Sequence, residues 1–543
     1  MLNQLSLYFH TLRHLKCSQI FWQCIRRLYH PTISTKISAI TLALPFGIWK
    51  RCCLRNTSYF EGSKIIFLNQ SIDFDHQTIW ENSKKKPGLW QYNLHYFYGL
   101  LSNNSTTVLK MLQLLEHWVS ACPFYTATAW APYPISIRIG NLIKYHLNGG
   151  KLSEHVLKSL YLQARFLYKI PEYQLLGNHL LENAKALVFA GKFFQGKEPS
   201  SWYRLGLKIL MREIPAQILE DGGHIELSPM YHALVQELML DLYNFFDAYN
   251  ILFPTAWLEY LQKMRFWLKV MTHPDGEISF FNDAAFNIAP TLKQLEDYAH
   301  RLDLPSVANI SNGITHLKNS GYVRLQNKAV TAILDCATIG AGYQPAHAHA
   351  DTLSFELSVH NKRCIVNSGT SLYGENLDCR QWQRATRAHS TVEVNQTNSS
   401  KVWGVFRVAR RATPIDLKIK KTPYAWTVSC AHDGYQQYHC RHTRFWRLTE
   451  NDLTITDLLS STCSAISRFY FHPDYRELKY KTEKPVKLEK SFYYPEFGKQ
   501  LDSQVLIQPF SEETSVTFSW QPIASRQALN ICATSSSNVQ VEI

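Results

Sequence analysis

Between about Thr106 and His300, apolar residues recur every three to four positions; beyond about residue 315 they recur every second position. The first spacing covers one face of an α-helix, the second one face of a β-strand. Amphipathic helices are predicted at Thr107–Val119, Ile135–Tyr145, Ser153–Tyr168, His179–Phe194, Trp202–Leu219, Tyr231–Tyr249 and Ala256–Met271. The breaks between them carry turn residues, among them Asn148-Gly149-Gly150, Asp221-Gly222-Gly223 and His273-Pro274-Asp275-Gly276. Successive helices of this length on short connections predict helical hairpins in an array or toroid. The stretch from Asp303 to Gly313 interrupts the pattern. After it, strands are predicted at Tyr322–Gln326, Val330–Asp335, Leu353–Val359, Thr391–Asn395, Ala425–Ser429, Leu453–Asp457 and Val516–Trp520, which predicts a sandwich. The boundary falls near 305–315.

Composition adds scale and charge. A chain of 543 residues, 45% hydrophobic and 18% charged, is globular and long enough for more than one core. Its net charge of +14, from 57 Lys and Arg against 43 Asp and Glu, favours polyanionic partners. No zinc finger, RRM signature or clean helix-turn-helix is present, so nucleic acid is not expected, whereas an acidic polysaccharide fits the same electrostatics. The 14 Trp, 29 Tyr and 28 Phe suit cores and also clefts that stack on sugar rings. The 12 cysteines include no C-x-x-C pair, which predicts free buried thiols rather than a disulfide scaffold or a thiolate zinc site. The N-terminus lacks the apolar region of a signal peptide, and Ala39–Trp49 is too short to span a bilayer. No transmembrane segment is expected; periplasm and cytoplasm both stay open.

The candidate chemistry sits in four motifs. His347-Ala348-His349-Ala350-Asp351 places two imidazoles and a carboxylate at alternate positions, on one face if the backbone is extended. Arg384-Ala-Thr-Arg387-Ala-His389 adds a third histidine and two arginines ahead of another strand. Gly177-Asn178-His179 opens a helix, followed by Glu182 and Asn183; Asn178 also reads as an N-cap. Asp221-Gly-Gly-His224-Ile-Glu226-Leu-Ser-Pro229-Met-Tyr231-His232 crowds ionisable groups at the mouth of a helix. Trp130, Arg138 and Asp283 lie at helix ends, where they read either as a sugar platform or as core.

Together, and in this order, these motifs resemble the heparinase II/III-like polysaccharide lyases over roughly residues 85–470. The resemblance implies an α+β multidomain chain: a leader region at 1–85, an (α/α) toroid at 86–310 and a C-terminal antiparallel β-sandwich at 311–543. It implies β-elimination on a uronate-containing polysaccharide, with Asn178, His179, Tyr231 and His347 as catalytic residues. The C5 proton next to a bare carboxylate is hardly acidic, so that carboxylate must be neutralised, a role for Asn178 and His179. Tyr231, its pKa lowered by neighbouring cations, can serve as acid or base, and His347 as partner base or carboxylate neutraliser, depending on whether the abstracted proton is syn or anti to the leaving group. Trp130, Arg138, Glu226, Asp283, Arg384 and Arg387 are assigned to the substrate, arginine being suited to bidentate grip of carboxylate or sulfate. The resemblance also implies one zinc ion at His349, Asn367 and His389. Asn367 stands where relatives carry aspartate, so a weaker site is expected, strengthened by Asn367→Asp. A uronyl C5-epimerase on the same scaffold and a non-catalytic glycan-binding protein are the alternative functions.

Overall fold

Asn104, Ser153 and Ser228 each accept the backbone N–H of the residue three positions on, and each starts a predicted helix. The seven helices predicted from periodicity run over Ser105–Ala121, Pro132–Leu147, Glu154–Leu167, Gly177–Phe193, Lys197–Gln217, Pro229–Ala248 and Thr255–Val270. The structure, a computed structural model, describes residues 2–37, 39–52, 59–75, 77–124, 126, 128–475 and 478–521. Cys53 and the end of the expected β domain, 522–543, lie outside the described residues. Among the described residues no helix is long and apolar enough to cross a membrane. Of the described cysteines, Cys52, Cys122, Cys336, Cys364, Cys430 and Cys440 are buried, but Cys17 and Cys24 are exposed.

Helix Gly177–Phe193 is enclosed on nearly all sides, packed against Lys197–Gln217 and Pro132–Leu147. One apolar core runs through this helical half, from Trp90 and Trp118 to Phe189, Phe245 and Leu268. The described residues of 1–85 pack against it. They form helices Leu2–Leu12 and Cys17–Leu28 and a three-stranded sheet of Phe60–Glu61, Lys64–Phe67 and Gln70–Asp73. Trp49, Tyr59, Ile65 and Phe67 of this region enter the helical core.

Beyond residue 312 the described residues are mainly antiparallel β, with one short helix, Leu377–Arg384. A nine-stranded sheet runs from Lys487–Tyr493 through Leu501–Phe510, Ala465–Phe471, Lys362–Val366, Phe355–Val359, Val330–Asp335 and Tyr322–Gln326 to Gly313–Leu317, with Val392–Val394 paired to Ala465–Phe471. A six-stranded sheet runs from Pro414–Lys421 through Trp426–His432, His442–Leu448, Asp452–Leu459 and Glu513–Ser519 to Lys479–Thr482. Leu325, Phe355 and Leu357 of the first meet Trp446, Ile455 and Phe518 of the second in a shared core. Asp452–Leu459 alternates buried and open positions, as a sheet with one wet face should. Val330–Asp335 is buried at every position. Its sheet carries Tyr322, Ile333 and Ala337 against Trp267, Met271 and Phe281 of the helical half.

The Asp221-Gly222-Gly223 turn ties the halves together. The Asp221 carboxylate accepts the backbone N–H of Asn319 and Ser320 at 2.8 and 2.7 Å. Gly222 has φ +92°, and a Cβ there would lie 2.3 Å from the Lys263 carbonyl carbon, so both conformation and contact demand glycine.

Candidate active site

Helix Gly177–Phe193 opens from a turn in which Leu176 and Gly177 both have positive φ, 60° and 55°. A Cβ on Gly177 would lie 2.8 Å from Glu226 Oε1. That gap lets the buried Glu226 carboxylate reach the helix N-terminus, where it accepts from the Asn178 backbone N–H at 3.2 Å and from Asn178 Nδ2 at 2.9 Å. Its other oxygen meets His347 Nδ1. Burial alone would raise the Glu226 pKa, but His347, His224 and Asn178 hold it down at about 2. With Nδ1 engaged by a carboxylate, Nε2 is the His347 nitrogen left for proton transfer.

The His347 ring stacks on Tyr231, centroids 3.8 Å apart and planes 17° off parallel. Tyr231 occupies the first turn of helix Pro229–Ala248, capped by Ser228 and started by Pro229. Its hydroxyl meets that of Tyr373 at 2.8 Å. Burial, Tyr373 and Asp283 push the Tyr231 pKa well above the ordinary range. The expected lowering by nearby cations is therefore reversed, because the guanidinium in the vicinity, Arg380, is already locked in a bidentate pair with Asp283. Tyr231 stays a neutral phenol, suited to donate a proton rather than to take one.

His179 lies alongside Tyr133, centroids 4.4 Å apart, with Nδ1 3.3 Å from Glu172. Burial would lower its pKa; the Glu172, Glu226 and Glu182 carboxylates outweigh that and raise it, so the imidazolium is favoured. Asn178 has one N–H committed to Glu226, and its buried Oδ1 lacks a partner among the described residues. Asn178, His179, Tyr231, His347 and Tyr373 all line one cavity of about 1040 Å³, walled further by Tyr133, by Phe406 and by Tyr59 and Phe67 of the N-terminal sheet.

Behind this cavity lies a buried cluster. One ring nitrogen each of His349 and His389 and an Asp351 oxygen are within 4.8 Å of one another. The two imidazole nitrogens face each other at 3.1 Å. His389 Nδ1 is bonded to the Ala385 carbonyl at 2.8 Å and His349 Nε2 to Asp283 at 2.8 Å, partners that accept and so require N–H on both. The facing nitrogens then both present lone pairs, and burial lowers both pKa values, that of His349 to about 4. A second chain, Gly434 N–H to His432, His432 to His442 and His442 to Asp457, is complete: each bond in it has a donor and an acceptor. The first lacks a positive centre between its nitrogens. Two imidazoles fixed by outer hydrogen bonds beside a carboxylate are a donor set that fits a divalent ion of zinc type.

Two family models match the chain. The heparinase II/III N-terminus matches residues 27–303, and the heparinase II/III-like C-terminal domain matches 309–491. The chain belongs to the heparinase II/III family. It is 27% identical over 274 residues to the heparin-sulfate lyase of Bacteroides stercoris (46% of this chain, 40% of the relative). It is 24% identical over 394 residues to the heparin-sulfate lyase of Bacteroides thetaiotaomicron (62% of this chain, 56% of the relative). It thus spans about half the length of these curated relatives. A solved structure described as heparinase III superposes with a TM-score of 0.63 at 19% identity, covering 80% of this chain and 77% of that one, which supports the toroid-plus-sandwich fold.

Within this family member, several residues expected at the substrate are placed elsewhere. Arg138 is fully buried, donating to Gln163 and to the carbonyls of His95 and Ala129, with its guanidinium over Trp118. Trp130 packs against Trp118, Phe124 and Phe166 and donates to the Cys122 carbonyl; Tyr133, one turn on, reaches the cavity instead. Arg384 is buried on the carbonyls of Ala348, Gly404, Val405 and Arg407, clamping the His347 loop to the Phe406 hairpin. Arg387 is exposed and does not line the cavity. Glu226 and Asp283 are not among the residues that line the cavity; Glu226 pairs with His347, and Asp283 with His349 and Arg380. Asn367 donates to the Phe280 carbonyl and Ser354 and accepts from the Ser390 N–H, so its side chain is fully used as a structural bridge; Asp351 takes its expected place beside the histidines. The His347–Asp351 segment is not extended: Ala348 N–H turns back to the Pro345 carbonyl, sending His347 to the cavity and His349 to the cluster behind it. Replacing Arg384 by methionine leaves these carbonyls unpaired in the interior and should cost about 3–5 kcal/mol of stability, read as a lowered denaturation midpoint.

Sequence reasoning missed Tyr373 and Arg380. Tyr373 is one of 29 tyrosines and stands in a loop with no flanking motif. Arg380 precedes by four residues the arginine that was singled out, a helical turn along Leu377–Arg384, and only the fold shows which of the two meets Asp283.

Proposed function

We propose that this protein is a polysaccharide lyase that cleaves a uronate-containing glycan by β-elimination. The observation that carries the reading is His347, held by Glu226 behind it and stacked on Tyr231 at the wall of one sugar-sized cavity, with His179 and Asn178 in the same walls. His347 Nε2 takes the C5 proton while Glu226 holds the ring's Nδ1–H. The C5–H bonding pair becomes the C4–C5 double bond, and the C4–O4 bond breaks. Tyr231, kept neutral by its surroundings, donates its proton to the departing O4. The His179 imidazolium and the remaining Asn178 N–H bind the uronate carboxylate, where charge builds in the transition state. Incubation with uronate polymers should raise the ultraviolet absorbance of a new conjugated double bond; unchanged absorbance with all of a panel of acidic polysaccharides would refute the reading.

A structural zinc ion belongs to the same proposal. His349, His389 and Asp351 would hold it, and its charge would supply the positive centre those lone pairs lack, anchoring the loops behind His347. No step of the elimination passes through it. The purified protein should retain about one zinc per chain, lost in His389→Ala, and a chelator should lower its melting temperature. Because Asn367 bridges backbone groups, Asn367→Asp should destabilise the fold by placing a carboxylate against the Phe280 carbonyl, rather than tighten the metal.

A further inference from the structure

Residues 1–30 carry Arg13, Lys16, Arg26 and Arg27 and no Asp or Glu, and the first acidic residue of the chain is Glu61. The two helices formed there, Leu2–Leu12 and Cys17–Leu28, turn apolar stripes away from the protein. On the first, Leu5, Tyr8, Phe9 and Leu12 follow helical spacing and are exposed, Leu5 by 61% and Phe9 by 64%. On the second, Cys17, Ile20, Phe21, Cys24 and Leu28 do the same, Phe21 by 58% and Leu28 by 83%. Single exposed apolar residues are ordinary, but two consecutive helices with an outward stripe each are not. The inward faces hold the helices in place by other means. Thr11 accepts from Trp403 Nε1 at 3.1 Å, Gln19 donates to the Tyr343 carbonyl at 3.2 Å, and Trp22 stacks on Tyr173 with centroids 4.8 Å apart.

Charge decides what covers this face. Arg13, Lys16 and Arg27 are exposed on or between the two helices. Arg407 and Arg410 are exposed on and beside the hairpin of Val402–Trp403 and Arg407–Val408, against which the first helix packs. A second copy seated here would bring these cations against each other, which is unfavourable. An anionic bilayer matches both features at once: leucine and phenylalanine enter the acyl boundary, and the basic side chains meet lipid phosphates. Helices of 11 and 12 residues are under about 20 Å long, too short for a hydrocarbon core of about 30 Å, so they lie along a surface rather than cross it. The face belongs to the cavity's end of the molecule: Tyr173 shortly precedes the Gly177 turn, and the Trp403 hairpin carries Phe406 into the cavity wall. Leu44, Phe46 and Ile48 are exposed too, but at the far end. There the Gly47 N–H bonds to the Ala248 carbonyl, at the other end of helix Pro229–Ala248 from Tyr231.

We propose that helices Leu2–Leu12 and Cys17–Leu28 form a docking face for the surface of an anionic phospholipid membrane, which holds the protein there with its cavity end close to the bilayer. The inference is independent of the lyase reading. In the test, the full chain is sedimented with vesicles of equimolar phosphatidylglycerol and phosphatidylcholine, and with vesicles of phosphatidylcholine alone. Partitioning into the anionic vesicles should be at least about tenfold stronger and should fall as salt is raised. Phe9→Ser with Phe21→Ser, and separately Arg13→Glu with Arg27→Glu, should each lower it by about tenfold or more. All four side chains are exposed, so the melting temperature of both variants should stay parental. Phe46→Ser, at the far end, should partition as the parent does. No partitioning into the anionic vesicles, equal partitioning into the neutral ones, or a loss in Phe46→Ser as large as in the helix variants would overturn the proposal. So would a concentration-dependent dimer that the helix variants abolish while no form binds vesicles, since the face would then be an interface between copies.

Discussion

Tyr231→Phe is expected to fold as the parent does and to lose about two to four orders of magnitude in kcat, the usual worth of a positioned acid or base. The substitution removes one oxygen, and the ring that stacks on His347 at 3.8 Å remains. What disappears is the proton for O4 and the bond to the Tyr373 hydroxyl. Loss at Tyr231 should depend on the leaving group: a substrate with a good leaving group at C4, needing little protonation, should recover most of the rate. Tyr373→Phe should cost less, because it only positions the donor. If Tyr231→Phe kept near-normal elimination on the natural linkage, the acid role assigned here would be wrong. If the loss were the same whatever the leaving group, Tyr231 would be the base instead.

The helices were legible because periodicity and caps agree: Ser153, Ser228 and Asn104 stand where apolar spacing begins, and turns with glycine stand where it ends. Strands with apolar inward positions, such as Val330–Asp335, were legible for the same reason. His442–Leu448 was not, since its inward side chains include His442 and Arg444, which are buried on Asp457 rather than exposed. Alternation of hydrophobicity fails wherever an ion pair takes the inner face. The same physics misled the assignment of arginines. Arg138 and Arg384 look in sequence like anion ligands, but the folded chain surrounds both with carbonyl oxygens, an environment created by loops far apart in sequence.

The residues proposed for catalysis were readable as a set because type and order are constrained together. Asn178 and His179 begin one helix, Tyr231 begins another, and His347 precedes a strand, so three element ends meet at one cavity. Their electrostatics were not readable. The raised pKa of Tyr231 comes from burial and from Tyr373, 142 positions away in sequence, and the depressed Glu226 from a histidine 121 positions away. That difference bears on the proposed mechanism, since a raised pKa suits Tyr231 to the acid role and leaves His347 as the proposed base, a choice the sequence left open.

Glu226→Gln tests that assignment. An amide can offer His347 Nδ1 either oxygen or N–H, so the ring is no longer held in the tautomer that leaves Nε2 free to accept a proton. The corresponding substitution at a carboxylate that orients a catalytic imidazole costs about four orders of magnitude in other enzymes, and a fall of about two to four orders in kcat with KM changed by less than about threefold is expected here. Stability gives an independent readout. The Glu226 carboxyl has an ordinary value of 4.5 and a folded value of about 2, so it contributes on the order of 3 kcal/mol above the upper figure, lost as pH falls through that window. The Gln variant should lack this acid-side loss: its stability should vary less between pH 4.5 and 2 than that of the parent, while lying below the parent at neutral pH. Parental kcat together with a flattened acid transition would leave Glu226 a structural carboxylate and move the base away from His347. A large fall in kcat with the parental acid transition intact would mean that the carboxylate acts on the substrate itself.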